Sequence, residues 1–218
     1  MFEKPIWLFR MTHIDNIGHI LKYGITHKDS PNRNAEFKTI GNSTLISKRD
    51  SWKIKVDNGN IFSENQNEII LGNFIPFYFW VKMPMLFQIQ QGDNHAKVSI
   101  SPDNIVYIIC SLEKVAKAIK TFFFTDGHAV DRFTSVYDKS KIEDILSIID
   151  TKAIKADYWG PDENLNTKRK KQAEFLAGED IPISCIIRFG CYNEQAKAKL
   201  IRLGIDESLI GVNPHNYY

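Results

Sequence analysis

The chain has 218 residues, 43% hydrophobic and 25% charged, with a formal net charge of +2. That length reads as one domain over residues 1–218, and the composition excludes disorder, collagen and coiled coil as global descriptions. Three cysteines (Cys110, Cys185 and Cys191) form no CxxC, which argues for a reducing compartment and against a disulfide framework or a cysteine-rich zinc site.

In chain order, Pro5 to Arg10 reads as a strand, and Thr12-x-x-Asp15 resembles a helix cap. Ile14, Ile17, Ile20 and Leu21 follow at helical spacing, and Gly24 stops the helix. Residues 27–68 are polar and rich in Asn and Ser, a long loop with one short helix around Thr44–Trp52. Phe74 to Val81 is a buried strand interrupted by Pro76, and Met83 to Phe87 starts a short helix with Pro84 in its first turn. Asn104 to Cys110 is a core strand, Ser111 caps a helix to about Lys120, and Thr121 to Phe124 is a strand that ends in the turn Thr125–His128. Residues 139–150 form a helix, Gln172–Ala177 and Ile183–Phe189 are strands, Asn193 caps a further helix, and a strand lies near Leu209–Val212. Six or seven strands with four or five helices, in no regular alternation, fit an α+β domain better than a doubly wound parallel sheet.

No apolar run approaches the ~18 residues of a membrane span. The N-terminal Met1-Phe2-Glu3-Lys4-Pro5 lacks the basic-then-apolar signature of a secretion signal, so the expected location is cytoplasmic. The chain carries no GxxxxGK[ST], no GxGxxG, no HExxH and no GxSxG. The six histidines (His13, His19, His27, His95, His128 and His215) are scattered, and no metal site is expected. The net charge is too small to establish a nucleic-acid partner, but its distribution is uneven. Residues 1–60 carry ten Lys/Arg against six Asp/Glu, and Lys168-Arg169-Lys170-Lys171 is a second basic run. Such a run is either a solvated loop or a phosphate-contacting patch.

Three places are unusual. Arg10-Met11-Thr12-His13 puts polar side chains where a strand meets a helix N-terminus, either as a plain cap or as an anion site. Lys48-Arg49 lies in the poorly patterned loop. Glu174 sits in the apolar strand Gln172-Ala173-Glu174-Phe175-Leu176, on the face of Gln172 and Leu176. A carboxylate there is costly unless it faces water, is paired, or lines a cleft.

Through these three places and two others, the chain resembles the DarT family, bacterial toxins that ADP-ribosylate DNA. The matching blocks are Met11-Thr12-His13-Ile14-Asp15-Asn16, Lys48-Arg49, Ile75–Phe79 with Met83–Leu86, Phe124-Thr125-Asp126-Gly127-His128, and Lys171–Leu176 preceded by Asp157-Tyr158-Trp159. The terminal Asn216-Tyr217-Tyr218 is also similar. No single block is specific, but the ordered set is, and it resembles the thymidine-modifying branch more than the guanosine-modifying one. The chain departs from the family at Arg10, where members often carry His.

The resemblance implies an ADP-ribosyltransferase fold, with a split, mostly antiparallel sheet around a central NAD⁺ cleft. It implies transfer of ADP-ribose from NAD⁺, as co-substrate, to thymine in single-stranded DNA, releasing nicotinamide, with no metal. It implies a monomer paired with a DarG-type macrodomain antitoxin, with no membrane partner. Glu174 then matches the catalytic glutamate and Arg49 the second catalytic residue. Arg10, Thr12, His13 and Asn16 match the block lining the NAD⁺ site, and Tyr78 matches a ring that stacks on nicotinamide. His128 falls on the DNA-facing loop, and Lys168, Arg169, Lys170 and Lys171 contact phosphates. Two other classes remain open: an RNA or protein acceptor on the same fold, and a non-enzymatic nucleic-acid-binding domain.

Overall fold

The computed structural model describes residues 4–41, 43–60, 62, 67–91, 99–160 and 164–218, so Met1–Glu3 and His95 lie outside the described residues. In chain order the elements are β1 (Trp7–His13), α1 (Ile17–Tyr23), α2 (Ser43–Ser51), β2 (Lys53–Val56), β3 (Asn67–Ile70), β4 (Ile75–Tyr78) and α3 (Pro84–Gln91). They continue with β5 (Ile105–Ser111), α4 (Leu112–Ala118), β6 (Phe122–Thr125), β7 (Val136–Asp138), α5 (Ile145–Ile148), α6 (Thr151–Lys155) and α7 (Leu165–Lys171). The last are β8 (Glu174–Ala177), β9 (Ile186–Cys191), α8 (Glu194–Arg202) and β10 (Ile210–Val212).

Eight strands form one sheet in the order β10-β9-β5-β1-β4-β8-β6-β7, and β2 and β3 form a separate pair. Among the described residues only the β9–β10 pairing is parallel, which makes the fold α+β with a mostly antiparallel sheet, as the irregular alternation of elements suggests. The sheet is split in its middle. β1 pairs with β5 from Trp7↔Ser111 to His13↔Ile105, but meets β4 only at Phe9↔Tyr78. Pro76 contributes to this opening, because proline has no N–H to offer a ladder. Its carbonyl is instead met by a side chain, Arg10 Nη1, at 2.8 Å.

The main core packs one sheet face against helices: Leu8, Phe77, Val106, Ile108, Phe124 and Phe175 from strands, and Ile17, Ile20, Val115 and Leu200 from α1, α4 and α8. Phe77, Phe124 and Phe175 are fully buried on three adjacent strands, and burying each contributes roughly 1.5–3 kcal/mol. This block gives β4, β8 and β6 a rigid base. Gly24 closes α1 at φ +77°, where a Cβ would stand 2.2 Å from the Ile181 carbonyl oxygen, so only glycine fits there.

Several local expectations are corrected. β1 runs on to His13 because β5 offers it partners as far as Ile105, so Thr12 is a strand residue. The cap is His13, not Thr12: its Nδ1 accepts from the Asp15 N–H at 3.2 Å over a 3-10 turn, Ile14–Asn16. The stretch 27–68 holds the expected helix α2 but also β2 and β3, strands of four residues too short to show a decisive period. Gln172 is the C-terminal cap of α7 rather than a strand residue, so it shares no strand face with Glu174. The three cysteines are buried and free.

Candidate active site

β8 is buried along its whole length between β4 and β6, with Glu174 in register opposite Tyr78. Phe175 and Ala177 turn into the main core, and alternation puts Glu174 on the other face. The Glu174 backbone N–H donates to Thr125 Oγ1 at 2.9 Å, and that hydroxyl donates to the Gly127 carbonyl at 2.6 Å. The end of β6 thereby fixes the residue that starts β8.

The Glu174 side chain has no solvent exposure, a costly place for a carboxylate without partners. Its partners come from far along the chain. The last turn of α2 brings Arg49, whose Nη1 donates to Glu174 Oε1 at 3.1 Å while Nη2 stands 2.9 Å from Oε2. The Ala129 backbone N–H also donates to Oε1, at 3.2 Å. The second contact to Arg49 is an ion pair without hydrogen-bond alignment, so among the described residues both Glu174 Oε2 and Arg49 Nη2 are buried polar atoms without a hydrogen bond. In a folded protein such an atom calls for an explanation, and a ligand hydroxyl supplies one.

Burial would lower the Arg49 pKa, but the Glu174 charge and hydrogen bond raise it above the ordinary arginine value, so the guanidinium stays charged. Burial also pushes the Tyr78 phenol up, with Glu174 adding to the effect, so Tyr78 is neutral and able to donate. Burial lowers Arg10 to about 10, and Arg49 adds to the depression, yet the group remains charged at neutral pH. Burial lowers the His128 pKa while Glu174 partly opposes it, leaving a neutral imidazole at pH 7. The five groups thus form one electrostatic cluster around Glu174, with two guanidinium charges against one carboxylate. That excess of buried positive charge favours an anionic ligand.

Thr12 and Asn16 are also buried, but they spend their hydrogen bonds on each other and on the chain. Asn16 Nδ2 donates to Thr12 Oγ1 at 3.0 Å and to the Lys38 carbonyl at 2.8 Å, and Asn16 Oδ1 accepts from the Lys38 N–H at 2.8 Å. The pair ties the end of β1 to the loop at Lys38. His13 lies on the opposite face of β1 from Arg10 and Thr12, turned toward Asp15. Arg10, Arg49, Tyr78, His128 and Glu174 are therefore brought together, whereas Thr12 and Asn16 form a second group at the end of β1 and His13 stands on that strand's other face.

The basic run is the last turn of α7, and its four cations have four different environments. Lys168 lies over the Trp159 ring at 5.4 Å. Arg169 Nη1 is 3.1 Å from both Asp126 Oδ1 and Thr134 Oγ1. Lys170 pairs with Asp150 at 2.9 Å. Lys171 is only 1% exposed and donates to the Ile154 carbonyl at 2.9 Å, so it is withdrawn from any phosphate at the surface. Of the four expected phosphate contacts, Lys171 is buried and Arg169 and Lys170 are paired with aspartates, while Lys168 has no carboxylate among the ion pairs of the described residues.

Lys168 lines a cavity of about 680 Å³ together with His128, Asp131, Phe133, Leu165, Asn166, Arg169 and Gln172. Phe133 is 87% exposed and Leu165 60%, so apolar surface is presented to solvent next to the Glu174 cluster. Sequence reasoning missed the Ala129 N–H, because a backbone donor has no residue signature, and missed Phe133, which stands alone in a polar stretch. Among the described residues, no three His, Cys, Asp or Glu side chains converge as a metal-ligand set.

The family described as "DarT: ssDNA thymidine ADP-ribosyltransferase, DarT" matches residues 9–218. The chain is 28% identical over 204 residues to a DNA ADP-ribosyl transferase of Thermus sp. (strain 2.9), covering 93% of this chain and 88% of that one. It is also 28% identical over 178 residues to a DNA ADP-ribosyl transferase–DNA ADP-ribosyl glycohydrolase fusion protein of Thermosipho africanus (strain H17ap60334), covering 81% of this chain and 40% of the fusion. In structure it is similar to Thermus sp. 2.9 DarT in complex with ADP-ribosylated single-stranded DNA, with a TM-score of 0.79 at 24% identity over 100% of this chain and 99% of that one. The same protein in complex with NAD⁺ gives a TM-score of 0.73, again at 24% identity and covering 100% of each chain. The match from Phe9 to the last residue takes in the whole Glu174 cluster, and the chain belongs to the DarT family: it is an NAD⁺-dependent DNA ADP-ribosyltransferase acting on single-stranded DNA.

Proposed function

We propose that Glu174 and Arg49 carry the chemistry, with thymine as the base modified. The observation that carries this reading is the buried Glu174 Oε2, which has charge beside it and no hydrogen-bond donor. A ribose 2′-hydroxyl is a donor of the right kind. In the reaction the bond from the ribose anomeric carbon to the nicotinamide nitrogen breaks, its electron pair leaves with nicotinamide, and the carbon becomes cationic. A fixed carboxylate beside it stabilises that charge without reorganising, usually the largest catalytic contribution. Thymine N3 then forms the new bond to that carbon and loses its proton to Glu174. General-base help of this kind contributes ~10²–10⁴-fold.

Arg49 orients the carboxylate through Nη1 and offers its second edge to the incoming groups. Arg10 and Tyr78 face the dinucleotide, with Thr12, His13 and Asn16 extending the NAD⁺ site along β1. His128 and Lys168 face the DNA, and the cavity between Phe133 and Leu165 holds an unpaired base of the short target sequence. The domain, 1–218, acts as a monomer in the cytoplasm, as the toxin of a pair whose DarG-type macrodomain removes the modification. The fused Thermosipho relative, transferase and glycohydrolase in one chain, supports that pairing. Among the described residues no helix is long and apolar enough to cross a membrane.

The test is mass spectrometry after incubation with NAD⁺ and three matched substrates: a single-stranded thymine oligonucleotide, its duplex, and the uracil RNA. Thymine N3 is buried in its base pair, and extracting it costs a few kcal/mol, so modification is expected on the single strand alone. Equal modification of the duplex, or preference for the RNA, overturns the substrate assignment.

A further inference from the structure

The basic run suggests DNA phosphate as the partner of Arg169, but the geometry of that side chain points elsewhere. It is 11% exposed. Nη1 contacts Asp126 Oδ1 and Thr134 Oγ1, both at 3.1 Å, and Nε donates to Asn166 Oδ1 at 3.3 Å. Its carbonyl accepts from the His128 N–H at 2.9 Å. Asp126 and Thr134 are the two ends of the turn that leaves β6 and returns to β7. Asp126 Oδ1 also accepts from the Ser135 N–H at 2.9 Å, which closes the turn on itself. The guanidinium packs against Gly127, where a Cβ would lie 2.5 Å from Arg169 Nη1.

Between those pinned ends lies Ala129, whose N–H reaches Glu174 Oε1 at 3.2 Å. We propose that Arg169 is a positioning residue: by clamping the 126–135 turn at both ends, it holds the Ala129 N–H against the catalytic carboxylate. Nη1 meets Asp126 and Thr134 while Nε meets Asn166, a planar set of donors that lysine does not reproduce.

The proposal rests on DNA ADP-ribosyl transfer as the activity, which the wild-type protein run alongside tests by itself. The experiment measures steady-state transfer to a thymine oligonucleotide by wild type, Arg169→Gln, Asp126→Ala and the double variant, each corrected for folded fraction from its melting curve. Displacing a reacting group by about 1 Å costs on the order of 10²-fold, so kcat is expected to fall ten- to a hundredfold. KM for the oligonucleotide and the salt dependence are expected to stay within twofold of wild type. The double variant is expected to be no slower than the slower single one, because both remove one clamp. Thr134→Val, which removes a single hydroxyl, is the fallback should the others fail to fold, with an expected severalfold loss of kcat alone. A raised KM with a flatter salt dependence and unchanged kcat would make Arg169 a phosphate contact and overturn the proposal. A kcat loss accounted for by the folded fraction, or losses that multiply in the double variant, would overturn it equally.

Discussion

Two sets of charges in this protein behave in opposite ways. Lys168 to Lys171 are contiguous in sequence and disperse in space, onto an aromatic ring, a turn, an aspartate and a core carbonyl. Arg49 and Glu174 are separated by 125 positions and converge to 2.9 Å. The difference is one of burial. A helix turns by about 100° per residue, so four successive cations on α7 point in four directions and each takes what its own direction offers. A carboxylate on a strand buried on both sides has no such freedom, and the fold must supply a partner.

The largest expected effects come from breaking the convergent set. Glu174→Gln is expected to cut transfer by about 10³-fold, because an amide lacks the charge that stabilises the cationic ribose. A carboxylate standing free in a cleft could be removed at little cost to stability, but this one is paired. Its loss leaves the Arg49 guanidinium 15% exposed and unpaired, at a cost of about 2 kcal/mol, below the ~3–5 kcal/mol for breaking a fully buried pair. Arg49→Ala should destabilise more, since it strands a carboxylate with no exposure at all. Urea denaturation of the two variants, beside their transfer rates, checks the order. Stabilities of both variants equal to that of wild type would mean that the pair is dispensable to the fold.

The same contrast governs how much of the molecule is legible in its sequence. The long strands are readable where apolar residues run on, as in Ile105–Cys110, and helix caps where a polar side chain meets the first turn, as at Ser111 and Asn193. Glu174 is conspicuous as a charge in an apolar strand. Its pairing with Arg49 is not, because nothing local to α2 marks which of its basic residues is buried. α7 reads as a loop because Lys and Arg are good helix formers but carry no apolar period. Thr12 and Asn16 are readable as a polar cluster, but not as a tie to the Lys38 loop, which depends on how a long polar segment folds back.

The dispersed set gives smaller effects. Burial lowers Lys171 from 10.5 to about 8, with Asp157 partly opposing it. The unfolded chain therefore holds this proton more tightly, and stability should rise with pH through the window from 8 to 10.5, by about 3 kcal/mol. Below pH 8 the burial penalty is present in full. Lys171→Met should remove that slope, and at pH 7 its relief of the burial penalty is offset by about 1–3 kcal/mol for the Ile154 carbonyl left without its donor. Melting temperatures of both proteins across the window test this, and an unchanged slope in the variant would assign the rise to another group.

The smallest effect separates Lys168 from Lys170, neighbours in sequence with different surroundings. Lys168 lines the cavity beside His128 and lies over Trp159, without a carboxylate partner of its own among the ion pairs described. Lys170 is already paired with Asp150, and a half-exposed pair of this kind contributes only ~0–1 kcal/mol to stability. A lysine on single-stranded DNA contributes roughly 0.7 to the slope of log affinity against log salt. Lys168→Ala should therefore flatten the salt dependence of oligonucleotide KM by about that amount, with a two- to fivefold rise in KM at low salt and kcat unchanged. Lys170→Ala should leave the slope where it is, because its charge is spent on Asp150. Equal flattening by both variants would restore the run to a continuous phosphate track, and no flattening by either would move the DNA path off α7 altogether.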